Sequence, residues 1–356
     1  MEGSSHRSMG FDPGSSSWKI AVVDDDGLEA EEEIVTKEIC GNPGLLRGII
    51  ANHADGLEAI AAPSGFGLPV TSIERVGERE IQLMTLRTSQ ESLVGLGASV
   101  GILKGVSKDM GANCYVLPSV KHLSTVPRYR KISRIDLGTS DKLCSAAAGL
   151  QCVHERRSLE YGEISFVLAE VGSSFASFIC VKGGKIVDGI GGTGVTFGTS
   201  ASGAIDAELV HVWEFPDKAS IYSGGLADAA GMSLQEIETL DPKSADERVS
   251  DAMIRFREAF MSDLLAISRR NQVFDFMLSS SLGANLRSDL CEVATDLGLR
   301  DITDPWGHIS GSIGAAYLAN GLIGGGYRGL VESLEILSAS GSVMDLLYFE
   351  GRPRIQ

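Results

Sequence analysis

The sequence has no paired-cysteine motif. Its six cysteines, Cys40, Cys114, Cys144, Cys152, Cys180 and Cys291, lie scattered along 356 residues without a CxxC. A disulfide scaffold would be denser, so reduced, structural thiols are expected. No uninterrupted apolar run approaches the roughly 18 residues of a membrane-spanning helix, and the polar, Ser-rich residues 1–10 hold no signal-peptide stretch. Positive charge is in deficit: 31 Lys and Arg stand against 47 Asp and Glu, a formal net charge of −16. Phosphate backbones are held by surplus basic residues, so nucleic acid is not an expected partner. His53, His122, His154, His211 and His308 do not fall at metal-ligand spacing. These absences predict a cytoplasmic protein with neither a membrane nor a nucleic acid as partner. An anionic small ligand stays compatible, because backbone amides and a metal ion hold phosphate without net positive protein charge.

What is present is glycine, 43 residues of it, at the ends of short apolar runs. A strand over 18–23 ends at the turn 24–27, and a second strand falls within 31–39. Residues 44–62 have helical apolar spacing, broken by the Pro- and Gly-containing run 62–69. A helix over 89–103 and a short strand over 114–118 follow, then a helix over 142–155 that Ser140 or Asp141 would cap. Strands over 164–170 and 175–181 repeat the opening strand–turn–strand pattern. Further on, helices are expected over 251–270, 285–297, 311–322 and 329–339, with a buried strand over 273–278. Alternating strands and helices with two hairpin-first units predict an α/β chain of two similar domains. The expected divisions are a flexible start at 1–9, a first domain at 10–150 and a second at 151–356.

Three small-residue turns carry the chemistry. The first is Asp12-Pro13-Gly14-Ser15-Ser16-Ser17 at a strand end. Glycine lets a ligand approach the backbone, and consecutive small residues leave amides and hydroxyls facing one concavity. An Asp at that place can hold Mg²⁺ directly or through water. Taken alone, the stretch also reads as an ordinary Ser-rich bend. Glu170-Val171-Gly172-Ser173-Ser174 repeats the pattern in the other half, which suggests two jaws on one polyphosphate. The third turn, 279–283, reads either as a helix cap or as a platform for a nucleotide base and ribose.

In order along the chain, segments 12–19, 136–150, 170–188, 276–290 and 311–325 resemble the five nucleotide-site segments of the actin, sugar-kinase and heat-shock-ATPase superfamily. Within it, Gly14-Ser15-Ser16-Ser17-Trp18-Lys19 is similar to the GSSSxK start of acetate and butyrate kinases. The set FDPGSSSWK, PSGFGLP, RIDLGTSDK and GIGGT resembles most an archaeal family of unknown function described as predicted butyrate kinases. Two positions depart from the acid kinases: Leu137 stands where they carry a catalytic His, and Asp12 where they carry Asn.

The resemblance implies two ribonuclease-H-like α/β domains, the actin-like ATPase fold, with an ATP cleft between them. ATP and Mg²⁺ are the implied cofactors. Gly14, Ser15, Ser16, Ser17 and Lys19 would hold phosphate from one jaw, and Gly172, Ser173 and Ser174 from the other. Ser280, Ser281, Gly283 and Gly311 would serve the nucleoside end, while Asp12 and Glu170 would organise Mg²⁺. Ser64, Gly65, Phe66 and Arg87 would line the acceptor pocket. Arg134 and Arg87 are candidate clamps for an oxyanion. Asp136 is a candidate general base, or alternatively a helix cap or partner of Arg134. A carboxylate acceptor needs no base, whereas a hydroxyl does, so Asp136 leans the reading towards an alcohol acceptor or hydrolysis. The implied activity is that of an ATP-dependent small-molecule kinase for a short carboxylate such as butyrate. A sugar or polyol kinase, and an ATPase switch acting on a partner protein, stay open, as does a homodimer.

Overall fold

The computed structural model describes residues 5–14, 16–42, 44–87, 96–213, 218–241, 246–303 and 309–349. The chain opens with an antiparallel meander of β1 (Arg7–Pro13), β2 (Ser17–Asp24) and β3 (Gly27–Val35). The β2–β3 turn is held by Asp24, whose Oδ1 accepts from the amides of Asp26 (2.8 Å) and Gly27 (3.0 Å). The edge strand β3 is studded with glutamates, which discourages edge-to-edge pairing. The short helices α1 (Thr36–Gly41) and α2 (Gly44–Asn52) lead to β4 (Leu57–Ala62), parallel to β1. Then come β5 (Thr71–Ser72), α3 (Glu78–Thr85), α4 (Leu96–Met110) and β6 (Asn113–Val116), followed by the one-turn α5 (Arg128–Lys131). The resulting sheet has the order β3-β2-β1-β4-β6-β5.

The second sheet repeats the plan. After α6 (Ser140–Arg157), the meander β7 (Phe166–Val171), β8 (Ala176–Lys182) and β9 (Lys185–Ile190) forms. The small helices α7 (Ala207–Val212), α8 (Leu226–Ala230) and α9 (Leu234–Glu238) precede the long α10 (Glu247–Asn271). Met253, Phe256, Phe260, Leu264 and Ile267 of α10 join the buried core around β7 and β8. Parallel strands β10 (Asp275–Ser280) and β11 (Arg300–Asp301), with α11 (Ala284–Asp296) between them, complete the order β11-β10-β7-β8-β9. Three antiparallel strands followed by parallel ones, twice over, with the two-residue β5 pairing antiparallel to β6 at the edge of the first sheet, are two ribonuclease-H-like sheets, as the α/β reading anticipates.

Two small-residue helices knit the halves together. The helix α12 (Gly311–Leu322), followed by α13 (Arg328–Ser333), returns to pack on β1, β2 and β4 of the first sheet, while α6 packs on β7, β8 and α12. The small side chains let backbones touch. A Cβ on Gly314 would lie 1.8 Å from the Cys144 carbonyl oxygen, and one on Gly10 would lie 2.2 Å from that of Ser312. Ser8 Oγ donates to the Ala316 carbonyl at 2.8 Å across the same seam. The chain runs helical through residue 150, so a boundary there falls inside α6.

Three other expectations are revised. The start is not wholly loose: β1 begins at Arg7, and Met9 is fully buried. The helical spacing over 44–62 divides at Gly56 (φ 66°) into α2 and β4. A central parallel strand is buried on both faces and shows no alternation, so its apolar run is not distinguishable from helix. The helix expected over 89–103 begins, among described residues, with α4 at Leu96 and runs to Met110.

Candidate active site

The carboxyl ends of β1, β4, β7 and β10 open on one cavity of about 580 Å³, which the first turns of α6 and α12 also line. Ligands of open α/β sheets collect at such strand ends, and helix N-termini favour anions. One wall carries Asp12, Gly14, Ser16, Ser17 and Lys19; the facing wall carries Glu170, Gly172, Ser173, Ser174, Ser280 and Ser281. Gly311 opens α12 between them, and Asp136, Ser64, Gly65, Phe66 and Arg87 line the remainder. The two Gly/Ser turns therefore share one hollow.

Asp12 sits at the end of β1, in register with Lys19 on β2. A Cβ on Gly311 would lie 2.8 Å from its Oδ2, so a residue without a side chain is needed there. Burial, reinforced by Asp141 and Glu170 and opposed by Lys142 and Lys19, pushes the Asp12 carboxyl up to about 7. Lys142 pairs with Asp141 Oδ2 at 2.9 Å and with Glu170 Oε1. Burial alone would lower the Lys142 ammonium, but Asp141, Glu170 and Asp12 together carry it well above its ordinary range. Asp141 is held low against the effect of its burial by Lys142 and a hydrogen bond from Thr139. Four charged side chains, three of them acidic, thus converge where the strand ends meet.

Asp136 is anchored differently. Its Oδ1 accepts from the Gly138 amide at 2.9 Å, and its Oδ2 accepts from the Thr193 amide (3.2 Å) and hydroxyl (3.4 Å). A Cβ on Gly191 would fall 1.7 Å from Oδ1, so the carboxylate is walled in by backbone. Burial raises this carboxyl, and those hydrogen bonds oppose the rise. Asp136 closes the turn before Thr139, which takes the N-cap position of α6 without a side-chain hydrogen bond, so the cap is neither Ser140 nor Asp141, both inside the helix.

Several polar groups of the expected site are already committed. Ser64 Oγ donates to the Ala62 carbonyl (2.7 Å) and accepts from the Leu117 amide (3.0 Å), tying the ends of β4 and β6 together. The Ser17 hydroxyl donates to Glu33. The Gly172 amide closes its own turn onto the Phe175 carbonyl at 2.9 Å. The Ser174 carbonyl accepts from the amides of Thr199, Ser200 and Ala201. These groups shape the jaws, as does the Gly14 amide, which donates to the Asp12 carbonyl at 3.1 Å.

Arg134 and Gly283 are not among the lining residues. Arg134 is exposed, with its guanidinium against the 191–194 turn, where a Gly194 Cβ would lie 3.0 Å away. Gly283 caps α11 and abuts the Glu238 carbonyl, 1.6 Å from where its Cβ would be. Ser15 lies outside the described residues. Conversely, the cavity recruits side chains that the sequence reading passed over. Asp141 and Lys142 look like helix-start residues, and their only signal was adjacency to Gly138-Thr139-Ser140. Lys218, Ile221 and Tyr222 come from a one-turn segment, with Lys218 Nζ 5.4 Å from the Phe66 ring centre and Tyr222 edge-on to Phe175 at 5.3 Å. With Met84 and Arg87 they give one side of the cavity an apolar body and two cations.

The residues present suit Mg²⁺ shared with a polyphosphate. Among the described residues no three His, Cys, Asp or Glu side chains are grouped to hold a metal by themselves. Mg²⁺ bound with nucleotides takes one or two carboxylates, keeps waters and draws its other ligands from phosphate. Glu170 Oε2 is buried and has no hydrogen-bond partner among the described residues, so an acceptor oxygen is available beside Asp12.

A profile described as "Protein of unknown function (DUF1464)" matches residues 10–349. The chain belongs to this family. It is also 28% identical over 205 residues to "Probable butyrate kinase 1" of Thermotoga maritima, a match covering 51% of this chain and 56% of that protein. "Probable butyrate kinase" of Thermotoga petrophila is 27% identical over the same length. The chain thus spans little more than half the length of these curated relatives. Among solved structures, acetate kinase from Entamoeba histolytica superposes with TM-score 0.59 at 13% identity, covering 82% of this chain and 86% of that one. Acetate kinase from Porphyromonas gingivalis gives 0.57 at 15% identity, over 86% and 94%. The shared architecture is a two-sheet kinase-like fold. No helix among the described residues is long and apolar enough to cross a membrane.

Proposed function

We propose that the protein is an ATP-dependent small-molecule kinase with a short carboxylic acid as acceptor. Phosphoryl transfer asks the protein chiefly to align donor and acceptor and to meet developing charge. The observation that carries the reading is the common hollow: two Gly/Ser turns from equivalent strand ends, two helix N-termini and an Asp12–Glu170 pair of carboxylates around it. Bound Mg²⁺ would offset charge on the donor's phosphate oxygens, with Asp12 and Glu170 as its protein ligands. The small-residue turns 12–17 and 170–174 would let the phosphates approach the backbone closely, and Lys19 would stand beside Asp12 as a further cation. Ser280, Ser281 and the start of α12 would flank the nucleoside. The proposed lobes follow the sheets: β1–β6 with α12, and β7–β11 with α10 and α11, α6 lying between.

The cationic and apolar side of the cavity supports a carboxylate acceptor over a hydroxyl. A hydroxyl must lose its proton to a base, whereas a carboxylate is ionised at neutral pH and attacks phosphorus directly. Asp136 spends three of its acceptor sites on Gly138 and Thr193, and so also serves the turn before α6. Arg87 and Lys218, beside Phe66, Met84 and Tyr222, suit an anion on an apolar stem. The test is ADP formation from Mg·ATP with a panel of short fatty acids, sugars and polyols, with hydroxylamine trapping of any acyl phosphate. Stimulation by a fatty acid with hydroxamate formation is expected. Stimulation by polyols alone would overturn the acceptor assignment, and no stimulation by any compound would overturn the kinase reading.

A further inference from the structure

The carboxylates of the cleft are bridged by an ammonium that the proposed chemistry has not yet used. Lys142 stands on the first turn of α6, 2.9 Å from Asp141 Oδ2 and paired with Glu170 Oε1, while Glu170 Oε2 is buried without a partner among the described residues. Its side chain is only 20% exposed, so the ammonium is fixed inside the cleft and not a waving surface charge. Resting on the metal site of the kinase reading, we propose that Lys142 is a positioning residue that makes divalent-ion binding conditional on the nucleotide.

Charge and oxygen supply together set how tightly the cleft holds a bare ion. With the ammonium seated on Asp141 and Glu170, a bare divalent ion entering beside Asp12 meets Glu170 Oε2 and a like charge a few ångströms away. Like charges at that range repel strongly at the effective dielectric of a protein interior. A triphosphate changes both quantities: it brings oxygens to complete the ion's shell, and it gives the ammonium an anionic partner of its own. Ion and nucleotide therefore enter together, and the empty cleft keeps its carboxylates oriented without a metal. A purely structural Lys142 would keep Glu170 in place but would leave ion binding indifferent to its charge.

The experiment measures bare Mn²⁺ binding to the full-length protein by loss of the free-ion electron paramagnetic resonance signal, with neither nucleotide nor acceptor present. Lys142→Met should gain at least about tenfold in Mn²⁺ affinity, because the repelling charge is gone. Lys142→Arg should stay close to the parent. The proposal is overturned if Lys142→Met binds Mn²⁺ no more tightly than the parent, or if Lys142→Arg matches Lys142→Met. Thermal melts of the parent protein supply a measurement independent of any variant's folding. Mn²⁺ with a non-hydrolysable ATP analogue should raise the melting temperature clearly more than either alone; an equal rise with Mn²⁺ alone overturns the proposal. Neither readout involves acceptor or turnover, so a failed acceptor panel leaves the result standing, and an unchanged Lys142→Met leaves the kinase reading standing.

Discussion

Adding one methyl group at Gly311 should separate the chemistry of the cleft from the stability of the fold. The Cβ of Gly311→Ala would lie 2.8 Å from both Asp12 Cγ and Oδ2 and 3.2 Å from Asp12 Cβ. Ordinary contact is about 3.5–4.0 Å, so the carboxylate must retreat by roughly 0.7 Å or more. A misplacement near 1 Å at a reacting centre costs on the order of 10²-fold in rate, so ADP formation should fall about 10- to 100-fold. The fold should lose little: overpacking costs about 1–3 kcal/mol, the preference of helices for Ala over Gly returns up to about 1 kcal/mol, and Gly311 is the first residue of α12. The assay pairs Mg²⁺-dependent nucleotide binding by calorimetry and turnover with a thermal melt of the same preparation. A variant that turns over within about twofold of the parent would refute the reasoning. A variant largely unfolded at the assay temperature would instead assign Gly311 to helix packing.

Other perturbations test neighbouring parts of the account. Asp12→Asn should lower turnover by about 10²-fold or more and raise metal-free stability at pH 7 to 8. The sign follows from a folded-state carboxyl pushed up to about 7: the unfolded chain loses that proton first, so parent stability falls as the pH rises from about 4 to 7 and the penalty is complete at pH 7 to 8; a melt there showing Asp12→Asn less stable than the parent contradicts this. Asp136→Asn places an amide donor against the Gly138 or Thr193 amide and should destabilise by about 1–3 kcal/mol, read by urea unfolding; an unchanged midpoint would show that those bonds are dispensable. Burial, aided by Lys131, lowers the His122 imidazole to about 4. The unfolded chain therefore binds the extra proton first, and stability present above pH 6.5 should be lost as pH falls from there to 4, by on the order of 3 kcal/mol. A His122→Leu variant that keeps the same acid slope would refute that attribution.

Much of the fold was legible because the local chemistry of each turn agrees with its global place. Asp24-Asp25-Asp26-Gly27 reads as a hairpin and is one, and the two Gly/Ser turns fall at equivalent strand ends of two like sheets. What escaped is tertiary in origin. β1 looked polar and Gly-rich because Ser8 and Gly10 are shaped to receive α12, a partner about 300 residues further along the chain. β4 lost its strand signature through burial on both faces. The site was legible to the same extent. Asp12, Glu170 and the Gly/Ser residues announce themselves as short motifs. Arg134 reads as an oxyanion clamp from its forked guanidinium, yet it is exposed, its guanidinium lies against the 191–194 turn, and it does not line the cleft. Asp141 and Lys142 went unnoticed because a charged pair at a helix start is ordinary, and only the arrival of Glu170 from β7 makes it chemical.

The most direct measurement is a crystal structure of the full chain with Mg²⁺ and a non-hydrolysable ATP analogue. The account predicts the triphosphate between the 12–17 and 170–174 turns, with Asp12 and Glu170 facing the ion and Lys142 turned onto phosphate. A nucleotide bound elsewhere, or a cleft that stays empty at saturating analogue, would contradict it.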